Sequence, residues 1–142
     1  MKLLKRSITI TVLFLLCISF QNCNSSDTVL QDSDIVVGTW KLTSLEVDGV
    51  ETITTCKESN TYTFESGNVL RKELHDVVNG NCQLIETQIF SWLRIERGRY
   101  SLTTSNGFNS VVDFTFSDND TKFSVTEMIN GEQVISVFSK QP

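Results

Sequence analysis

The sequence predicts an all-β fold, an antiparallel up-and-down β-barrel of about eight strands. Three observations carry that prediction. Thr, Val, Ile, Phe and Tyr recur in runs that alternate apolar with polar side chains, and no window sustains the 3.6-residue apolar period of a helix. Clusters rich in Gly, Asn and Asp interrupt those runs about every eight to twelve residues. The only proline is Pro142, so no interior position is barred from donating to a β-ladder.

The first element is not a strand. Lys2, Lys5 and Arg6 precede an uncharged apolar stretch from Ser7 to Phe20. These 14 residues, at about 1.5 Å each, reach ~21 Å, short of a ~30 Å hydrocarbon core, so the layout is that of a secretory signal. A polar run, "NSSDTVLQDSD", follows as a flexible stem. The border resembles a bacterial lipoprotein signal, in which a cysteine becomes the first residue after cleavage and carries acyl chains. The resemblance implies lipidation of Cys23, since Cys17 lies inside the apolar run; "SFQN" before Cys23 departs from the tightest form of the pattern. Several acyl chains, at roughly 0.8 kcal/mol per buried methylene, anchor a protein almost irreversibly. The expected divisions are a signal at 1–22, a lipidated stem at 23–34 and a domain at 35–142, lipid-anchored at the cell outer membrane.

The strands follow in order. In "IVVGTWKLTSLEV", Val36, Trp40 and Leu42 share a face, with Gly38 between them. Asp48-Gly49 is a hairpin signal, and a second segment leads to Cys56. "TYTF" alternates Tyr62 and Phe64 against Thr61 and Thr63, and Ser66-Gly67 turns the chain. The return places Leu70 and Leu74 on one side, with Arg71, Glu73 and His75 on the other. After Asn79-Gly80-Asn81 comes the longest apolar segment, "CQLIETQIFSWLRI", which passes through Glu96-Arg97-Gly98 into "RYSLTT". The final strands turn at Asp118-Asn119-Asp120 and at Asn130-Gly131. Gaps this short join antiparallel neighbours, because a parallel crossover needs about a dozen residues. The result is a meander, and closure of a meander removes its edges, which favours a barrel over a two-sheet sandwich.

Loss of residues 1–22 leaves 120 residues, which suits one domain. It removes three of twelve basic residues and no acid, leaving nine against seventeen and a net charge of −8. Nucleic acid and anionic membrane surfaces are therefore excluded as electrostatic partners. The domain keeps Cys56 and Cys82, and an even pair in an exported chain reads as a disulfide. There is no Cys-x-x-Cys, and His75 is the only histidine, so a metal or redox pair is disfavoured.

Several of these stretches together resemble a known family. "GTWKL", the Cys56-to-"TYTF" spacing, the "SGN" turn, Cys82, "FSWLRIERGRYSL" and "FTFSDNDTKFSV" look like the small lipocalin-like domains of bacterial lipoproteins over residues 35–140. The resemblance implies a β-barrel opened by the Gly-x-Trp strand, with Trp40 plugging one end, and a Cys56–Cys82 pair. Two departures bear on the cup: Phe90-Ser91-Trp92 replaces a second Gly-Thr-Trp, and no C-terminal helix follows the last strand.

Catalytic patterns are absent from the sequence. His75 and Asp76 are neighbours on a strand and point to opposite faces, and no nucleophile-elbow, zincin or phosphate-loop motif occurs. An EF-hand beginning at Asp118 would require Gly where Phe123 stands, so Asp118-Asn119-Asp120 reads as a turn. Arg94, Arg97 and Arg99 read as a solvated hairpin. The aromatic set Trp40, Tyr62, Phe64, Trp92, Tyr100, Phe114 and Phe116 lines a core or a ligand cup, and so many rings favour a filled interior. The expected function is a membrane-tethered module, not an enzyme and without a cofactor, that binds a small apolar or amphipathic ligand. The alternative is an envelope lipoprotein with an inert core that binds another protein.

Overall fold

The computed structural model describes residues 34–142. The signal segment, Cys17, Cys23 and the stem through residue 33 lie outside the described residues. Ten strands follow: β1 (Gly38–Val47), β2 (Val50–Glu51), β3 (Thr61–Phe64), β4 (Val69–Val78), β5 (Asn81–Glu96), β6 (Arg99–Thr104), β7 (Asn109–Asp113), β8 (Thr115–Ser117), β9 (Lys122–Ile129) and β10 (Glu132–Lys140). The only helical element among the described residues is a single 3-10 turn, Lys57–Ser59.

All pairings are antiparallel, and the sheet runs β7-β6-β5-β4-β3-β1-β10-β9-β8, with β2 paired to β1 off this path. Apart from the β1–β10 pairing, every main ladder joins neighbours in the sequence, which is the expected meander. The connections explain it. Asp48-Gly49, Asn79-Gly80 and Asn130-Gly131 all take positive φ at both residues, the geometry of a tight hairpin whose twist matches that of its strands.

Closure differs from the expected barrel. The hydrogen-bond ladder ends at β7 on one side and at β8 on the other. These two are halves of one segment, Asn109–Ser117, divided only by Phe114. The backbone N–H of Phe114 donates to the carbonyl of Gly98 at 2.6 Å, and the Phe114 ring is buried. That combination pulls residue 114 out of the strand, so β7 pairs with β6 while β8 pairs with β9. Counted as one segment, and with two-residue β2 set aside, the ten strands reduce to the expected eight.

Three register shifts bend the wall. The shift between Leu42 and Ser44 leaves Thr43 as an extra residue on β1. A bulge of this kind re-aims the side chains beyond it: Trp40 and Leu42 face inward before it, and Leu45 and Val47 after it.

The inward faces fill one half of the structure with rings. Trp40, Phe64, Trp92, Tyr100 and Phe123 are almost completely buried. Phe123 stacks on Phe138 at 5.0 Å and lies 4.6 Å from Phe114, and Phe64 meets Trp92 edge-on at 5.9 Å. Such pairs each contribute about 0.5–1.5 kcal/mol beyond their area burial.

Candidate functional site: a cup with one closed end

One end of the cylinder is sealed. Trp40 donates its indole N–H to the carbonyl of Val36 at 2.6 Å, which folds the entering chain over the ring. The Lys140 ammonium lies 5.2 Å above that ring and donates to the carbonyl of Ile35. Trp40 is thus fully buried at this end, beneath the entering chain. Asp34, the last residue of the expected stem, is buried here and belongs to the fold. Its Oδ1 accepts from the Tyr100 hydroxyl at 2.7 Å and from the Val36 N–H at 3.0 Å, and its Oδ2 faces the Arg94 guanidinium at 3.6 Å.

The other end is open. A cavity of about 320 Å³ lies there, lined by Leu42, Leu45 and Val47 of β1, Tyr62 of β3, Leu74 of β4, Glu127 and Ile129 of β9, and Val134, Ser136 and Phe138 of β10. Thr52, Lys57 and Asn60, from the chain between β2 and β3, complete its rim. Tyr62 and Phe138, with ring centroids 4.3 Å apart, border both the packed half and the cavity. The interior is thus filled at the Trp40 end and vacant at the mouth. The size sits at the lower end of the ~300–1,000 Å³ range of small-molecule pockets.

The polar groups of the cup are few. Lys72 shares its inward face with Leu70 and Leu74, and its ammonium lies 4.5 Å from the Tyr62 ring centroid and 5.0 Å from that of Phe90. Burial lowers the pKa of Lys72, an effect that the negative charge of Glu127 opposes. Burial, and then Glu127, raises the pKa of Tyr62. Glu51 outside the cup is held below the usual carboxylate range, chiefly by the hydrogen bond from the Ser44 hydroxyl and then by the backbone N–H groups of Leu45 and Ile53.

Of the aromatic residues singled out from the sequence, only Tyr62 lines the cavity. Trp40, Phe64, Trp92, Tyr100 and Phe114 are packing, and Phe116 lies half-buried against Trp40 and Phe123. Cys56 and Cys82 form a disulfide that ties the 3-10 turn to the start of β5. The arginine trio does not stay together. Arg94 turns to the closed end, Arg97 grips Asp120 through both carboxylate oxygens at 2.8 and 3.0 Å, and Arg99 pairs with Asp113 and Glu96. Only the latter two are the solvated pairs expected of the hairpin. Asp118, Asn119 and Asp120 all take left-handed φ, and Lys122 pairs with Asp118 at 2.7 Å, as a turn requires. His75 is half-buried, while the Asp76 carboxylate accepts from the Val77 N–H.

Among the residues that sequence reasoning missed are Leu45, Val47, Lys72, Glu127, Ile129 and Val134. Parity alone places Lys72 with Leu70 and Leu74, but the bulge at Thr43 hides Leu45 and Val47, which by simple alternation would face away from Trp40.

No curated protein matches the chain. Among solved structures, the possum milk whey lipocalin trichosurin, crystallised at pH 4.6 with bound 4-ethylphenol, is similar at 19% identity and a TM-score of 0.39, over 72% of this chain and 74% of that one. The family model described as "Lipocalin-like domain" matches residues 36–133, from the Val36 whose carbonyl accepts the Trp40 indole N–H to the start of β10. The chain therefore belongs to the lipocalin-like domain family.

Proposed function

We propose that the protein is a tethered binding module that holds one small apolar or amphipathic molecule in the open end of its barrel, at the cell envelope. The observation that carries this reading is the cavity of about 320 Å³ above the ring-filled half, walled mainly by Leu, Val, Ile and Phe side chains. A cup of this shape removes apolar ligand surface from water at roughly 25 cal/mol per Å². The tether is the acylated Cys23 read from the leader, with the stem as spacer.

The test uses the full chain and a neutral fluorescent probe, N-phenyl-1-naphthylamine. Saturable one-to-one binding to the wild type, weakened at least tenfold by Leu74→Trp, supports the reading. A probe that fails to bind, or that binds both proteins alike, ends it. For the tether, intact mass after expression in a host that lipidates should show acyl chains at Cys23, and Cys23→Ser should leave the membrane fraction.

A second reading, a module that binds another envelope protein, is favoured by one observation. Leu93 of β5 and Val111 of β7 lie in line across β6 through Ser101, and both are at least half exposed. Under that reading, Leu93→Ser with Val111→Ser abolishes co-purification of the partner and leaves probe binding intact.

A further inference from the structure

We propose that Lys72 selects the ligand's head group: the cup takes an amphiphile with a single acid group, inserted head first, whose anion meets the Lys72 ammonium while the apolar body lies between Leu45, Leu74, Ile129 and Val134. This assignment rests on the binding-module reading above.

The argument begins with the position of the charge. Lys72 stands on β4 between Leu70 of the packed half and Leu74 of the cavity wall, and it is register partner to Tyr62 on β3 and Gln88 on β5. Its ammonium lies against the ring of Tyr62, which lines the cavity, so the charge stands just behind the cavity floor. A cation drawn inside a barrel loses hydration and needs compensation. The faces of the Tyr62 and Phe90 rings supply part of it. No carboxylate supplies the rest: among the described residues, the ion pairs within 4 Å are Arg94–Asp34, Arg97–Asp120, Arg99–Glu96, Arg99–Asp113 and Lys122–Asp118, and none includes Lys72.

Glu127 is the nearest competing influence. It is exposed on β9 and lines the cavity towards the β9–β10 turn, with Lys57 also at the rim. Water screens it there. The charges are thus ordered by depth, with an acidic and a basic group at the wet mouth and one lysine at the floor. A neutral ligand would leave that floor lysine without a direct counter-ion, and a cationic one would add to its cost. An acid head group supplies the missing partner, because charge-assisted hydrogen bonds to an ammonium are the strong ones.

The experiment compares sodium decanoate with 1-decanol, which differ in head group and share the apolar body, as competitors of N-phenyl-1-naphthylamine for the full chain at pH 7. The wild type should prefer decanoate at least tenfold. Lys72→Met should bring the ratio to within about twofold of one, and Lys72→Arg, which keeps the charge, should retain the preference. Equal displacement from the wild type, or a preference undiminished in a folded Lys72→Met protein, overturns the assignment of Lys72 and leaves the binding module standing. Failure of the probe to bind, or of both competitors to displace it, overturns the binding module itself and this assignment with it.

Discussion

The Tyr100 hydroxyl donates to the carboxylate of Asp34 at 2.7 Å, joining the sixth strand to a residue that precedes the first one. Both side chains are buried, and the same carboxylate also receives the Val36 N–H and faces Arg94. The contact fixes the chain's entry across the closed end and holds the Trp40 plug from outside. Hydrogen bonds to a charged group contribute about 1.5–3 kcal/mol, so Tyr100→Phe should lower unfolding free energy by about 2 kcal/mol. Asp34→Ala should cost more, because it strands the hydroxyl and the guanidinium together. Urea denaturation of both variants checks the order.

Alkaline pH should unfold the protein through its tyrosines. Tyr62 and Tyr100 are the only two in the chain, and burial is the main cause that raises both pKa values. Above a pH of about 10 the unfolded chain releases these protons while the folded one keeps them, so stability is full below that pH and falls above it, by up to roughly 1.4 kcal/mol per pH unit for each tyrosine. Lys72 acts with the opposite sign, since its lowered pKa lets the folded state shed its proton first. The phenolate absorbance near 295 nm should therefore rise only together with the loss of β-sheet circular dichroism. A phenolate signal that develops in the folded protein near pH 10 refutes this.

The Cys56–Cys82 bridge spans 26 positions in the sequence. The chain-entropy account gives about 3.5 kcal/mol for a loop of that size. The Cys56→Ser/Cys82→Ser double variant should lose that amount in denaturant titration, and added reductant should change the wild type only. Probe affinity at 20 °C should change little in a variant that remains folded, because neither cysteine lines the cup.

Two glycines with the same backbone sign should differ sharply. Gly98 and Gly80 have φ of +80° and +79°, yet a Cβ at Gly98 would sit 2.7 Å from the carbonyl oxygen of Phe114, whereas nothing lies within 4 Å at Gly80. Gly80→Ala should cost about 1 kcal/mol from backbone strain alone. Gly98→Ala adds a clash with a backbone atom that cannot move without breaking the Phe114-to-Gly98 hydrogen bond, and its loss in midpoint should be at least twice as large.

Much of this fold can be read before any coordinates. The Asn-Gly and Asp-Gly pairs announce their hairpins because few residues tolerate positive φ, and the inward rings follow from simple alternation. The bulges do not announce themselves. Thr43 and Ile85 differ in no way from residues on regular strands, and the extra residue is a property of the pairing. The break at Phe114 is equally silent, since "VVDFTFS" alternates straight through it. Asp34 reads as one more polar residue of a Ser/Asp-rich stem, because its partners Tyr100 and Arg94 are sixty or more positions away. The cup's aromatic floor was legible in part through Tyr62. Its charged residue was not, because a lysine among leucines gives no sign of whether its ammonium will bend towards rings or reach for water.

The divided segment Asn109–Ser117 gives the cylinder a seam. Everywhere else a rung of hydrogen bonds fastens one stave to the next, but between β7 and β8 the joint is the single residue Phe114, held by its buried ring and its hydrogen bond to Gly98. Thermal breathing of the wall should begin along this line, and amide deuterium uptake at Val111 and Phe116 should outpace that at Leu42 and Phe138.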